Sequence, residues 1–146
     1  MSIQPPVLIN LVLALIALGL YIVGSHRFYH DRRPFLAFLV AAVAVDGITA
    51  VLASFGITPT TQLPYSDFVP WRSKLFLTHI SLATIGFFGF IVVMGILIVR
   101  GTHHSYPRLR VFQYRFLLPV WIVGEGIALM NAFIKAVFRF RLYDFM

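Results

Sequence analysis

Three ionisable residues interrupt long apolar stretches of this sequence: Asp46 in AVAVDGITAVL, His79 in LFLTHISLA and Glu125 in PVWIVGEGIALMN. An isolated ionised side chain at a bilayer centre costs about 2.5–3.5 kcal/mol on insertion scales, so such groups face other helices and find partners. One imidazole with two carboxylates is a ligand set that suits a transition metal such as copper or iron. The same groups could instead hydrogen-bond across helices or relay protons. The residues therefore predict one polar site with a structural, a metal- or haem-binding or a proton-carrying role.

The other four histidines are expected at the opposite membrane surface. His26 and His30 are four residues apart and share one face if the first helix continues past Gly24. His103 and His104 follow the third apolar stretch. A b-type haem takes two imidazoles from facing helices, so a pair drawn from both groups could hold a second haem or a metal. Solvated histidines among lipid headgroups are the competing interpretation.

The composition is that of an integral membrane protein. Hydrophobic residues make up 60% of the chain, charged residues only 12%, and the mean hydropathy is +0.88. Cysteine is absent, which excludes disulfides, iron–sulfur clusters and thiolate zinc sites. The formal net charge of +7 is concentrated beside apolar segments, which favours contact with anionic lipid over nucleic acid. No nucleophile elbow, phosphate loop or zinc-protease motif is present, so we expect a protein that is not an enzyme.

Four apolar segments are long enough to cross a bilayer as helices. No alternating pattern of a membrane barrel is visible, so the predicted fold is an all-α, antiparallel bundle of four transmembrane helices in a single domain, residues 1–146. The predicted helices cover about residues 7–24, 34–55, 75–99 and 116–137.

The arginines predict the orientation of this bundle. Seven of them lie in the segments that follow the first and third helices, and five basic residues lie on the other side. The positive-inside rule then places both termini on the non-cytoplasmic side of the plasma (inner) membrane. The proline-rich second loop, residues 56–71, is expected outside, and Asp46, His79 and Glu125 fall in the outer half. Tyrosines near the span ends, including Tyr21, are interpreted as an interfacial aromatic belt.

Four motifs resemble a small four-helix bacterial membrane family of unknown function, some members of which assist the biogenesis of haem–copper cytochrome oxidases. A histidine followed by arginines precedes the second helix, and WRSKLFLTHISLA leads into the third. His104 follows the third helix, and Pro119 and Trp121 form a Pro-x-Trp motif at the expected start of the fourth. The resemblance covers most of the chain and implies a non-catalytic accessory or assembly factor of a respiratory complex.

Two other functions compete with this interpretation. The first is a b-type haem protein that transfers electrons, and the second is a supernumerary structural subunit of another multi-subunit membrane enzyme. In each, we expect Asp46, His79 and Glu125 to approach one another inside the bundle. Two carboxylates and an imidazole at similar depth exceed what packing requires, so we expect Glu125 to act as a ligand or in a charge pair.

Overall fold

The computed structural model describes residues 5–54, 73–102, 106–138 and 142–145. The regular secondary structure of this part of the chain is entirely helical. Its elements are α1 (Pro5–Tyr29), α2 (Phe35–Ser54), α3 (Lys74–Arg100), α4 (Pro107–Phe112), a π-helical segment (Gln113–Leu117), α5 (Leu118–Phe138) and a 3-10 helix (Leu142–Phe145). The predicted outer loop, residues 56–71, lies outside the described residues.

Four helical stretches are long and apolar enough to cross a membrane. Three of them lie in α1, α2 and α3, and the fourth runs through α4, the π-helical segment and α5. Large apolar side chains are exposed along all four stretches, for example Leu15, Val51, Val92 and Phe133. The exterior is therefore as apolar as the interior, which is the reverse of the pattern in a water-soluble bundle.

The described helices differ from the predicted ones at two ends. α1 continues past Gly24 to Tyr29, and the fourth stretch begins at Pro107 rather than Phe116. The prediction had assigned the arginine-rich residues before Phe116 to a loop because of their charge. Proline is well tolerated at a helix start, where its missing N–H has no intrahelical partner, and Pro107 begins α4 there.

The expected Pro-x-Trp start of the fourth helix is wrong, because Pro119 lies inside the continuous helical stretch. Pro119 offers no N–H to the carbonyl of Arg115, and its ring would crowd that carbonyl in an α-helix. The π-helical segment lies directly before Pro119 and contains Arg115. A wider helical turn at this point accommodates the proline without ending the helix.

Short motifs fix the helix ends near the polar sites. α1 ends with the N–H of Arg32 bonded to the carbonyl of Arg27 at 2.8 Å and that of Asp31 bonded to Phe28 at 3.2 Å. Asp31 has a φ of 57°, so these two hydrogen bonds form a Schellman motif. At the other end of the molecule, the Ser73 hydroxyl caps α3 by accepting a hydrogen bond from the N–H of Phe76 at 3.2 Å.

Helix α1 packs mainly on α2, and α3 packs mainly on α5. Glycines permit the close approach of α3 and α5. A Cβ atom on Gly86 would lie 2.5 Å from the Cβ of Trp121, and one on Gly124 would lie 2.7 Å from the backbone nitrogen of Ala83. Small residues at these two contacts bring the side chains of α3 and α5 into the same layer of the bundle.

Candidate functional site

The Asp46 carboxyl group forms the best-connected polar site in the described part of the chain. Asp46 on α2 is 9% exposed, and its Oδ2 accepts hydrogen bonds from the Tyr21 hydroxyl at 3.1 Å and from Trp121 Nε1 at 2.9 Å. The rings of Tyr21 and Trp121 lie 4.3 Å apart between centroids. Since the two donors come from α1 and α5, this single carboxyl group ties three helices together.

Sequence reasoning placed Tyr21 in the interfacial belt, and this interpretation is wrong. Tyr21 is fully buried and donates to Asp46. Trp121 is 1% exposed and fills the space beside Gly86. One signal was available in the sequence, because Trp121 and Glu125 are four residues apart and so share a helix face. The contact with Tyr21 depends on tertiary packing and has no counterpart in the local pattern.

His79 on α3 bonds to the backbone of α5. Its Nδ1 lies 2.8 Å from the carbonyl oxygen of Gly124. A carbonyl oxygen can only accept a hydrogen bond, so the proton must be on Nδ1. In the neutral ring, the lone pair is then on Nε2, which can accept a proton or bind a metal. Donation from one ring nitrogen to a carbonyl is also the usual way in which a metal-binding histidine is oriented.

The C-terminal 3-10 helix covers His79. Tyr143 is 4% exposed, and its ring stacks on His79 with the centroids 6.3 Å apart. The N–H of Tyr143 donates to Asn131 Oδ1 at 3.3 Å. Burial, followed by the nearby charge of Glu125, raises the pKa of the Tyr143 hydroxyl above its ordinary value. Sequence reasoning missed Tyr143 and Asn131, because a contact between residues that are far apart in the sequence leaves no periodic signal.

Glu125 is half-buried on α5, within electrostatic range of the Asp46 carboxyl and of the Tyr21 and Tyr143 hydroxyls. Among the described residues, no hydrogen bond or ion pair involves its carboxyl group. The carboxyl groups of Asp46 and Glu125 are therefore close enough for their charges to interact, but no described hydrogen bond joins them. The structure connects His79 to them through Gly124, the residue that precedes Glu125.

The described donors do not fit a metal site with three or more protein ligands. No group of three His, Asp or Glu side chains in the described ranges is arranged to hold a metal ion. Asp46 Oδ2 is engaged by two hydrogen-bond donors, and His79 offers only Nε2. Among the described residues, a metal or haem bound beside Asp46 would therefore have His79 as its one available imidazole.

Only two of the four histidines of the second predicted site lie among the described residues. His26 and His30 lie on one face of α1, and their ring centroids are 4.5 Å apart. Both side chains are exposed. His103 and His104, the predicted partners from the third helix, lie outside the described residues. Adjacent imidazoles on a single helix do not by themselves face each other across a haem, so the pairing of the two groups stays a prediction.

The described contacts form a polar connection between all four apolar stretches. Asp46 joins α2 to α1 and α5, and His79 joins α3 to α5. Comparison of the chain with family models, with curated proteins and with solved structures finds no match.

Proposed function

We propose that this chain is an integral membrane protein of the bacterial plasma (inner) membrane, with its four apolar helices crossing the bilayer as an antiparallel bundle. The supporting observation is the distribution of polarity. Large apolar side chains are exposed on all four stretches, whereas the Asp46 carboxyl group is enclosed with two hydrogen-bond donors. In water this arrangement would leave a wide apolar surface uncovered, and in lipid it satisfies both sets of groups.

The orientation has a direct test. With the arginine-rich connections in the cytoplasm, both termini and the second loop lie outside. A cysteine substituted at Ser66 should react with an impermeant maleimide added to intact cells or to right-side-out vesicles. Reaction only after the cytoplasmic face is exposed would reverse the orientation.

We infer that the protein acts as a non-catalytic accessory or assembly factor of a respiratory complex of the haem–copper oxidase type. The observation that carries this proposal is the use of the interior polar groups. The hydrogen bonds of Asp46 and His79 join helices to one another, and many of the side chains exposed on the helices are apolar. A compact bundle of this kind binds partners through helix surfaces in the membrane. The motifs shared with the oxidase-biogenesis family point to the class of partner.

Isolation of a tagged chain from native membranes in a mild detergent tests this role. We expect subunits of a haem–copper oxidase to co-purify in less than stoichiometric amounts, and deletion of the gene to lower the oxidase content of the membranes. A supernumerary subunit would instead co-purify with its complex at a fixed ratio. A chain that purifies without any respiratory subunit, together with a normal oxidase content after deletion, would contradict the assembly role.

A b-type haem protein is the second candidate, and one observation favours it. The bond from His79 Nδ1 to Gly124 orients the ring, and its Nε2 would be the atom that holds a haem iron. A bound haem would supply one-electron chemistry, while this chain would supply the ligand and the apolar surroundings. An optical spectrum with elemental analysis decides between the candidates. A Soret band that is lost in His79→Ala would support the haem protein.

A further inference from the structure

The end of the molecule that carries the α1–α2 turn and the α3–α4 connection, here called the basic end, has a large excess of positive charge. Asp31 is its one acidic residue in the described part of the chain, and it is already paired with Arg110 at 2.7 Å. The arginines of this end are Arg27, Arg32, Arg33, Arg100, Arg108, Arg110 and Arg115. Most of the positive charge is therefore left without a protein counter-charge among these residues.

Four of these arginines fall into two groups by what their side chains contact. Arg27 donates to the carbonyl of Arg33 at 3.0 Å, and Arg33 donates to the carbonyl of Thr102 at 3.1 Å, so these two join the α1–α2 turn to the end of α3. Arg32 and Arg115 are exposed, and no hydrogen bond or ion pair to the guanidinium group of either is found among the described residues. Their guanidinium groups are available to a ligand.

Four rings lie at the same end of the molecule as these two arginines. His26 and His30 have their ring centroids 4.5 Å apart, and Tyr29 stacks on Tyr114 at 4.7 Å. His26 also meets Tyr114 edge-on at 6.4 Å, so the rings form one continuous group between α1 and the π-helical segment. Arg115 follows Tyr114 directly along the chain. Imidazole N–H, phenol O–H and guanidinium groups are all hydrogen-bond donors suited to a phosphate.

The sign of the surrounding charge selects the class of ligand. Two imidazoles on one face could in principle hold a divalent metal, but the neighbouring arginines repel a cation. The same arginines attract an anion, and a guanidinium binds phosphate oxygens through paired hydrogen bonds. The ring group and its arginines therefore suit a phosphate better than a metal ion.

An exposed apolar surface continues from this charged group toward the centre of the molecule. Ile22 lies one helical turn from His26 and is 43% exposed. Phe116, which follows Arg115 in the chain, is 49% exposed. A phospholipid has the same order of groups, with a charged phosphate followed by acyl chains.

We propose that the surface formed by His26, His30, Arg32, Tyr114 and Arg115, here called the headgroup site, binds the phosphate of an anionic phospholipid. The acyl chains of that lipid lie along Ile22 and Phe116. This inference rests on the proposed location of the protein in the membrane. It adds that the protein distinguishes anionic from zwitterionic lipid at one defined place.

Native mass spectrometry of the purified full chain in neutral detergent tests the site. Phosphatidylglycerol, phosphatidylcholine and inorganic phosphate are titrated separately. We expect at least tenfold tighter binding of phosphatidylglycerol than of phosphatidylcholine. The double variant Arg32→Gln/Arg115→Gln should bind phosphatidylglycerol about 25-fold more weakly, at about fivefold for each arginine near an anionic surface. The matched control Lys74→Gln/Arg100→Gln removes two exposed charges outside the site and should retain the preference.

Three outcomes would overturn the headgroup site. Equal affinity for the two lipids, an equal loss of affinity in both double variants, or full displacement of the lipid by an equal concentration of inorganic phosphate would each do so. Flotation with phosphatidylglycerol vesicles and with phosphatidylcholine vesicles separates failure of the headgroup site from failure of the membrane proposal. A chain that floats equally with both kinds of vesicle lies in the membrane but lacks the site. A chain that floats with neither contradicts the membrane location itself.

Discussion

Gly124→Ala should damage the packing of α5 on α3, because Gly124 lies at a close backbone contact. The added Cβ would lie 2.7 Å from the backbone nitrogen of Ala83 and 3.1 Å from the carbonyl carbon of Leu82. Backbone atoms cannot rotate away, so α5 must move by roughly 0.7 Å to restore ordinary van der Waals distances. A shift of that size along the contact would lengthen the 2.8 Å hydrogen bond from His79 to Gly124 to the limit of a useful bond.

The expected loss follows from these two effects. Overpacking costs about 1–3 kcal/mol, and a weakened hydrogen bond costs about 0.5–1.5 kcal/mol. The better helix propensity of alanine offsets at most about 1 kcal/mol, so the net loss should be about 1–3 kcal/mol. The free energy of unfolding is measured by titrating mixed micelles with a denaturing detergent and following tryptophan fluorescence.

Gly126→Ala is the matched control, two residues further along the same helix. No atom of a neighbouring element lies within 4 Å of a Cβ built on Gly126. This variant should be as stable as the natural protein or slightly more stable. If the two alanine variants unfold at the same detergent fraction, the close contact between α3 and α5 and the reasoning built on it are refuted.

Three further predictions use the same unfolding assay. Asp46→Leu leaves the Tyr21 hydroxyl and the Trp121 indole N–H without an acceptor, so its free energy of unfolding should fall by about 2–4 kcal/mol. Asp46→Asn keeps an acceptor oxygen, so its free energy of unfolding should fall by less than about 1 kcal/mol. Equal losses in the two variants would show that these hydrogen bonds are not needed. Glu125→Gln should retain stability, since the Glu125 carboxyl group takes part in no described hydrogen bond or ion pair. A clear loss of stability would reveal a cation or ligand on Glu125. The pKa of the Tyr143 hydroxyl is raised, so the folded state holds the hydroxyl proton more tightly than the unfolded state, in which the pKa has its ordinary value of 10.0. Stability from this group is complete below about pH 10 and falls as pH rises beyond it, so Tyr143→Phe should reduce the alkaline loss; an unchanged alkaline slope would count against the burial of that hydroxyl.

The sequence was sufficient to predict the four apolar helices, because each is a long run of residues that lipid tolerates and water does not. It was less reliable where charge and helix occur together. Residues 107–115 were assigned to a loop for their arginines, although a helix can project arginine side chains toward the interface at the end of a bundle. The π-helical segment could not be foreseen in detail, but Pro119 marks the place where a regular α-helix is difficult.

Equal depth in neighbouring helices predicts that Asp46, His79 and Glu125 approach one another, and this grouping stays a prediction. The connections of Asp46 could not be predicted. Tyr21 and Trp121, the donors to Asp46, were interpreted as belt and motif residues because a single sequence does not reveal which helix faces meet. Tyr143 could not be linked to His79, since that contact depends on the path of the chain after α5. Whether Glu125 is a ligand also depends on a bound species that the sequence does not name.

The central claim is that the chain works as an accessory factor of a haem–copper respiratory complex while its own polar interior holds the bundle together. Mass spectrometry of the proteins that co-purify with the tagged chain in mild detergent tests it most directly, with Lys74→Gln as a tagged control that leaves the bundle intact. Our account predicts that oxidase subunits are enriched with the tagged natural protein and with the Lys74→Gln variant, at less than one copy of each subunit per tagged molecule. Recovery of the chain without any oxidase subunit, under conditions in which the oxidase itself stays intact, would contradict it.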